Sequence, residues 1–240
     1  MKMDEGFLFF SVIIPAHNEE AYVGKALVSL KDIDYPRDKF EVIVVENGST
    51  DRTNDIIREY APASFKVVRI AEPGVSRAKN RGIDLISQIS SWVIVLDADT
   101  YPGTPFFREL HRFLEANAGR NLGTGMVSLL PTPDSRLARG WYRFFNLANY
   151  LTHTTRSIQC IRRDLLKDLR YDETLTFGED TKMLQACSHT SRHFYLRTRS
   201  VFSSTRRFQK NGWIGQLFNW IYLASLPYSK KQSARYTAIR

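Results

Sequence analysis

The chain has 240 residues, 43% of them hydrophobic, which is enough for a large buried core and excludes a chain disordered throughout. Its two cysteines, Cys160 and Cys187, form no CxxC pair and have no histidine at metal-ligand spacing beside them, so neither a disulfide framework nor a zinc site is expected and a reducing compartment is the simplest reading. Lys and Arg total 34 against 25 Asp and Glu, a formal charge of +9 that suits anionic partners: nucleotides, nucleic acid or an acidic membrane face.

At the N-terminus Asp4 and Glu5 precede an apolar run that goes straight into a proline turn. That is the wrong charge and the wrong exit for a secretory signal, and a cytoplasmic protein is expected. Three β-rich apolar runs, 7–14, 40–45 and 92–96, are too continuous for half-exposed strands and too short for helices, so each is predicted to be buried on both faces. A fourth, 65–70, is more polar. Helical spacing lies between them, over 19–30 with Tyr22, Val23, Ala26, Leu27 and Leu30, then over 51–60 and 76–89. Strand and helix alternate, which predicts a parallel sheet with right-handed crossovers, helices on both faces, over residues 7–118. A helix over 105–117 follows, with Thr104 as its candidate cap. Beyond residue 119 the pattern loosens without any linker-like run, and this half reads as a continuation of the same globule with mixed strands.

Ligands of such sheets gather at the carboxyl ends of the strands, and each predicted strand ends in a polar or turn-forming cluster. The first is Pro15-Ala16-His17-Asn18-Glu19-Glu20, where a proline ends the strand and a helix N-terminus favours anions; it is equally an ordinary acidic helix start. Glu46-Asn47-Gly48-Ser49-Thr50-Asp51 sets a glycine turn between a carboxylate and a hydroxyl, able to wrap a base and ribose or to cap a helix. The stretch 72–82 carries Arg77, Lys79 and Arg81 near a helix start, either a phosphate site or a solvated basic face. Asp97-Ala98-Asp99 puts two carboxylates at a strand end before a Pro/Gly turn. Such a pair can hold a hard divalent cation that bridges two phosphates, although a solvated turn looks the same. Far downstream, Phe177-Gly178-Glu179-Asp180 sets a glycine before two acids, and Asp180 could take a proton from an attacking hydroxyl if the fold brings it near.

In their order and spacing, "VIIPAHNEE", "VVENGSTD", "EPGVSRAKNRG", "VLDADTYP" and "FGED" closely resemble the family 2 glycosyltransferases, over roughly residues 9–190. The resemblance implies a GT-A fold: an α/β, Rossmann-like, mostly parallel central sheet flanked by helices. It implies transfer of a single sugar from a nucleotide-sugar donor, UDP- or GDP-linked, to an acceptor hydroxyl, with inversion and with Mg2+ or Mn2+ as cofactor. Asp97 and Asp99, with Ala98 between them, would contact the ribose and the metal-bound diphosphate. Asp180 would be the general base and Glu179 would position the acceptor. Pro15, Ala16, His17 and Glu19 would line the nucleoside pocket, Glu46, Asn47 and Ser49 would meet the base and ribose, and Arg77 and Asn80 would lie near the donor. Glu46-Asn47 stands where the family commonly has Asp-Asp, and an amide that donates as well as accepts leaves the base identity open. The turn before Asp172 and Glu173 lacks the usual Gly-Gly-Phe.

Within 137–151, Leu137, Trp141, Phe144, Phe145, Ala148 and Leu151 recur at helical spacing, as core packing or as an aromatic acceptor surface with Trp141. The C-terminal segment 206–240 places Arg206, Arg207 and Lys210 on one side of the apolar stretch 213–228, and Lys230 and Lys231 on the other. At about sixteen residues that stretch falls short of the roughly 20 needed to span a bilayer, and peripheral attachment to an anionic cytoplasmic membrane face is expected. The division expected is a glycosyltransferase domain over 1–205, with a nucleotide-sugar half over 7–118 and an acceptor half over 119–205, and this basic segment after it. A polyprenyl-linked or other glycan acceptor is expected. "QKNGW" (209–213) lacks the arginine of the Gln-x-x-Arg-Trp pattern of processive synthases, which favours single-sugar transfer. A sugar-nucleotide-forming enzyme and a dinucleotide oxidoreductase are disfavoured because no glycine-rich loop follows the first strand. A nucleic-acid binder is disfavoured because Asp97, Asp99, Glu179 and Asp180 would repel phosphates.

Overall fold

The computed structural model describes residues 6–154, 157–175 and 177–226; the readings placed on Asp4, Glu5, Lys230 and Lys231 lie outside them. In chain order the elements are β1 (Phe10–Ala16), α1 (Val23–Lys31), β2 (Phe40–Asn47), α2 (Thr53–Tyr60), β3 (Lys66–Ile70), α3 (Val75–Ile83), β4 (Trp92–Leu96), β5 (Thr100–Pro102), α4 (Phe106–Ala116), β6 (Leu122–Val127), β7 (Leu130–Thr132), α5 (Arg136–Thr152), β8 (Ile158–Arg162), α6 (Glu179–Ser188), β9 (Arg192–Leu196), β10 (Val201–Ser204), α7 (Arg206–Asn211) and α8 (Trp213–Ser225). Seven strands form one sheet in the order β3-β2-β1-β4-β8-β6-β9, and β5-β10-β7 form a second, smaller one.

The continuous apolar runs are buried on both faces, as their composition requires. Phe10, Val12 and Ile14 of β1 enter one core with Trp92, Ile94 and Leu96 of β4, while Ile13, Val93 and Val95 enter the core on the opposite face with Met183 and Cys187 of α6. Burying each such side chain contributes about 1.5–3 kcal/mol. The polar run became β3, the exposed edge of the sheet. Gly82 lets α3 lie close on β1, because a Cβ there would stand 2.3 Å from Cγ2 of Ile13.

Four local expectations shift. Pro15 does not end β1: the last pairing to β4 is Ile13 with Val95, so the strand continues to Ala16 against β2 alone, where a nitrogen without hydrogen is tolerated. The first helix begins at Val23 rather than 19, because the backbone N–H groups of Glu19 and Glu20 donate to Thr53 Oγ1 and Asp51 across a neighbouring loop. α3 ends at Ile83 instead of 89, and the chain continues in short turns that let Ser87 N–H donate to Glu41. The cap position of α4 falls on Pro105, while Thr104 accepts the Asp34 N–H through its carbonyl.

α5 is capped by Ser135, whose hydroxyl accepts the Ala138 N–H at 3.0 Å, but it is rotated relative to its expected apolar stripe. Its inward face carries Ala138, Tyr142, Phe145 and Asn149, and Leu137, Phe144 and Leu151 are exposed. The Tyr142 hydroxyl, donating toward the carbonyls of Ser203 and Ser204 at 3.0 and 3.1 Å, draws that face inward. No helix among the described residues is long and apolar enough to cross a membrane.

Candidate active site

β8 runs antiparallel to β4, so its first residues lie beside the carboxyl end of β4, with Ile158 opposite Leu96. The Asp97 N–H donates to the Ser157 carbonyl at 2.8 Å, and the Asp97 carbonyl accepts from Thr100 N–H at 2.9 Å. On the far side of the turn, the Asp99 carbonyl accepts the Ser204 N–H at 3.1 Å. Buried Ala98 separates the two acids. The Asp97-Ala98-Asp99 backbone is thereby tied to β8 and β10, and both carboxylates are held at the strand end.

Lys79 is the hub beside them. It is 2% exposed, with Nζ 2.9 Å from Glu179 Oε1 and 2.6 Å from Asp180 Oδ1, and it lies 4.9 Å from the Tyr171 ring centroid. Glu179 and Asp180 open α6, where the helix dipole favours carboxylates, and Gly178 precedes them at φ 82°, a left-handed conformation suited to glycine. Lys79, Asp97, Gln159 and Asp180 line one small crevice with Val95, Ser157 and Ile158. One ammonium faces three carboxylates and compensates about one of them. Burial alone would raise Glu179, but Lys79 outweighs it and holds that carboxyl below its usual range. Burial pushes Asp180 up to about 7 against the pull of Lys79, with Glu179 and Asp97 adding repulsion. Burial likewise raises Asp97, opposed by Lys79 and reinforced by Asp99. Burial would lower Lys79, yet Asp180 and Glu179 hold it well above the ordinary value.

The second cation is Arg206. Its guanidinium grips Glu19 with two bonds of 2.7 and 2.5 Å, stands 3.0 Å from Asp99 Oδ2 and lies 4.6 Å from the Tyr22 ring centroid. Burial still pushes Glu19 up to about 7. Arg207 adds positive potential at Asp97 and Glu179. Sequence reasoning missed the positions of Lys79 and Arg206, and assigned Arg206 to the flank of an apolar helix. Its place follows from β10, which pairs with β5 just after Asp99 and delivers the chain back to it; no local motif signals that pairing.

The loops after β1 and β2 are zipped together. His17 Nδ1 lies 2.5 Å from the Asn47 carbonyl, Ser49 Oγ accepts the Asn18 N–H at 3.1 Å, and Asn18 Oδ1 accepts the Thr50 N–H at 2.8 Å. Pro15 and Ala16 are the end of β1, with Ala16 opposite Glu46. Glu46 is fully buried: Oε1 accepts the Ser49 N–H at 2.6 Å, and Oε2 stands 2.8 Å from Arg69 Nε, an ion pair whose N–H does not point at it, so that oxygen has no hydrogen bond. Asn47 Oδ1 accepts the Gly74 N–H at 2.9 Å. Gly48 is obligatory between them, at φ 63° with a Cβ position 2.6 Å from the Ala71 carbonyl.

The remaining candidates are engaged by other residues. Asn80 clamps α3 to the later chain, donating to the Tyr171 carbonyl and to Glu173 Oε1 at 2.9 Å and accepting the Tyr171 N–H at 2.9 Å. Arg77 is half-exposed and pairs with Glu72 and, at 3.5 Å, with Glu173. Trp141 stacks on Phe145 and Trp213 in the aromatic layer between α5 and α8.

Among the described residues no three His, Cys, Asp or Glu side chains converge as a ready-made metal cage. The donor set is nonetheless of the right kind for Mg2+ or Mn2+. Asp97, in the crevice, and Asp99, beside Arg206, offer hard carboxylate oxygens, and such ions are commonly held by one or two carboxylates with phosphates and water completing the shell.

The family model described as Glycosyl transferase family 2 matches residues 11–170. Over 204 residues, 82% of this chain, the sequence is 27% identical to the poly(ribitol-phosphate) beta-N-acetylglucosaminyltransferase TarS of Staphylococcus aureus, and the match spans 36% of that relative's length. It is 34% identical over 121 residues to the glycosyltransferase AglE of Haloferax volcanii, covering 49% of this chain and 37% of that one. In three dimensions it matches S. aureus TarS 1–349 in complex with UDP-GlcNAc, with TM-score 0.68, 22% identity, and coverage of 83% of this chain and 59% of that one. The mannosyltransferase PcManGT from Pyrobaculum calidifontis, in complex with GDP-Man and Mn2+, matches with TM-score 0.63 and 21% identity over 92% of this chain and 66% of that one. The fold is that of these GT-A enzymes, a mostly parallel sheet flanked by helices.

Proposed function

Because the chain belongs to glycosyl transferase family 2, we propose that it transfers a single sugar from a nucleotide-sugar donor to an acceptor hydroxyl, inverting the anomeric carbon, with Asp180 as general base. The observation that carries this reading is the crevice in which Asp97, from the strand end, and Asp180, from the later third of the chain, meet around Lys79. In this chemistry the hydroxyl proton passes to Asp180 as the hydroxyl oxygen bonds to the anomeric carbon and the bond from that carbon to the diphosphate breaks. One base on the side opposite the leaving group suffices, without a covalent intermediate. A carboxyl pushed up to about 7 is matched to accepting a proton near neutral pH. Glu179, drawn low by Lys79, stays charged beside it and would orient the acceptor.

On the donor side, Asp97 and Asp99 would hold a divalent ion, Mg2+ or Mn2+, which when bound supplies charge neutralisation for the leaving diphosphate. Among the described residues, Glu46 Oε2, ion-paired with Arg69 at 2.8 Å, and Arg206 Nε are buried at this rim without hydrogen bonds. An acceptor oxygen suits a nucleobase N–H, and a guanidinium N–H suits a phosphate oxygen. His17, Glu19, Asn47 and Ser49 would shape the nucleoside pocket, with Arg77 at its edge. The relatives favour a UDP- or GDP-sugar, since the matched TarS structure holds UDP-GlcNAc and PcManGT holds GDP-Man with Mn2+. The acceptor is a hydroxyl of a polyprenyl-linked or other glycan. Residues 1–205 form the transferase body in this reading, and α7 beyond it contributes Arg206 to the site. Thermal-shift screening of UDP-, GDP- and dTDP-sugars tests the proposal: one base class should raise the melting temperature, and only with Mn2+ present. No stabilisation by any of them would overturn it.

A further inference from the structure

We propose that α5 and α8 together form a docking face for an anionic lipid bilayer. α8 turns Trp213, Leu217 and Trp220 toward the core and buries Leu223. Its opposite side leaves Ile214, Phe218, Ile221 and Tyr222 between 55% and 66% exposed. Beside it, the rotation of α5 leaves Leu137, Phe144, Leu147 and Leu151 at least half exposed. The two helices pack together. Phe144 meets Trp141 edge-on at 6.0 Å, Trp141 stacks on Trp213 at 6.1 Å, and Phe145 meets Trp220 at 5.3 Å. Single exposed apolar residues are ordinary, but eight on two adjoining helices make a patch of the kind that marks an interaction surface.

The charge around the patch chooses its occupant. Residues 135–163 and 206–226, which include α5, α7 and α8, contain no Asp or Glu. Arg136, Arg143 and Lys210 are exposed on α5 and α7. Asp134, the acid adjoining the start of α5, is paired with Arg139 at 2.6 Å. A second copy of this chain would set one basic rim against another, a like-charge juxtaposition that an isologous interface cannot avoid. The sequence 227–240 carries four Lys and Arg and no acid, and would meet the same repulsion. Five of the eight exposed side chains are Leu or Ile, on which a nucleic-acid base cannot stack. An anionic bilayer satisfies both features, receiving the apolar side chains at the acyl boundary and the basic ones at its head groups, as on a cytoplasmic leaflet. α8, with 13 residues, lies on such a surface and does not cross it.

The test is co-sedimentation of the full chain at low salt with phosphatidylcholine vesicles, with and without phosphatidylglycerol. Binding should require phosphatidylglycerol. The double substitution Phe218→Ser with Ile221→Ser should lower the partition coefficient at least about tenfold, as should Arg136→Glu with Arg143→Glu. Ile89→Ser, at an exposed isoleucine before β4, should leave it unchanged. Equal binding to neutral vesicles, or undiminished binding by both double variants, would overturn the proposal. So would a vesicle-free dimer that the serine pair dissociates in sedimentation velocity. Donor-induced thermal shifts read the transferase site separately, so failure of one reading leaves the other standing.

Discussion

The carboxylate rim and the α5–α8 face treat charge in opposite ways. At the rim Glu19, Asp97, Asp99, Glu179 and Asp180 face Lys79 and Arg206 inside the fold, each cation almost wholly buried. On the α5–α8 face the helices carry no acid at all, and basic and apolar side chains stand outward together. The difference teaches that the +9 net charge does not describe the site. The acidic centre sets five carboxylates against Lys79 and Arg206, and the positive excess is concentrated in the last quarter of the chain, whose own sequence holds no Asp or Glu.

The sharpest break of that contrast is Asp180→Asn, expected to lower kcat by about 10^2–10^4 while donor affinity by calorimetry changes little; near-normal turnover would remove the base from Asp180. Lys79→Met leaves buried carboxylates uncompensated and should cost about 3–5 kcal/mol in urea unfolding. Adding Asp180→Asn should recover part of that loss, a coupling absent if Lys79 only fills space. Arg206→Gln gives up the bonds to Glu19 and should cost about 1.5–3 kcal/mol. It should also tighten Mn2+ binding in calorimetry, since the guanidinium no longer competes for Asp99.

The pH profile separates stability from turnover. Burial raises Glu19 and Asp180 to about 7 from ordinary values of 4.5 and 3.8, so the folded state holds those protons more tightly than the unfolded one. Their contribution to stability is therefore full below pH about 4 and is lost as pH rises through about 7. The melting temperature should climb between pH 8 and pH 5, while turnover, with Asp180 proposed as the base, should fall over the same interval. The smallest effect belongs to the other region: Phe218→Ser should change unfolding free energy by no more than about 0.5 kcal/mol, because the side chain is already in solvent.

Much of the sheet was legible because its strands carry their burial in their composition. The run 92–96 became β4 over its predicted span, and 40–45 became β2 with two polar residues added at its carboxyl end. The acid pair after β4 announced itself as carboxylates that a buried strand does not need. Helix boundaries read less well. The start of α1 was decided by bonds from Glu19 and Glu20 to a loop more than thirty residues away. The outward face of α5 was decided by one tyrosine reaching the carbonyls of β10. Asn80 and Arg77, which the motif groups with the donor, are engaged with Tyr171 and Glu173.

By itself the sequence determined the first four strands, their alternation with helices and the acidic clusters at the strand ends, since each depends on the period and polarity of neighbouring side chains. Tertiary structure alone decided which cation answers which carboxylate. Lys79 meets residues about a hundred positions away, and Arg206 reaches Glu19 across nearly the whole chain. Such partners are chosen by how strands pair and how loops close over them, and a local pattern of residues holds no record of that choice.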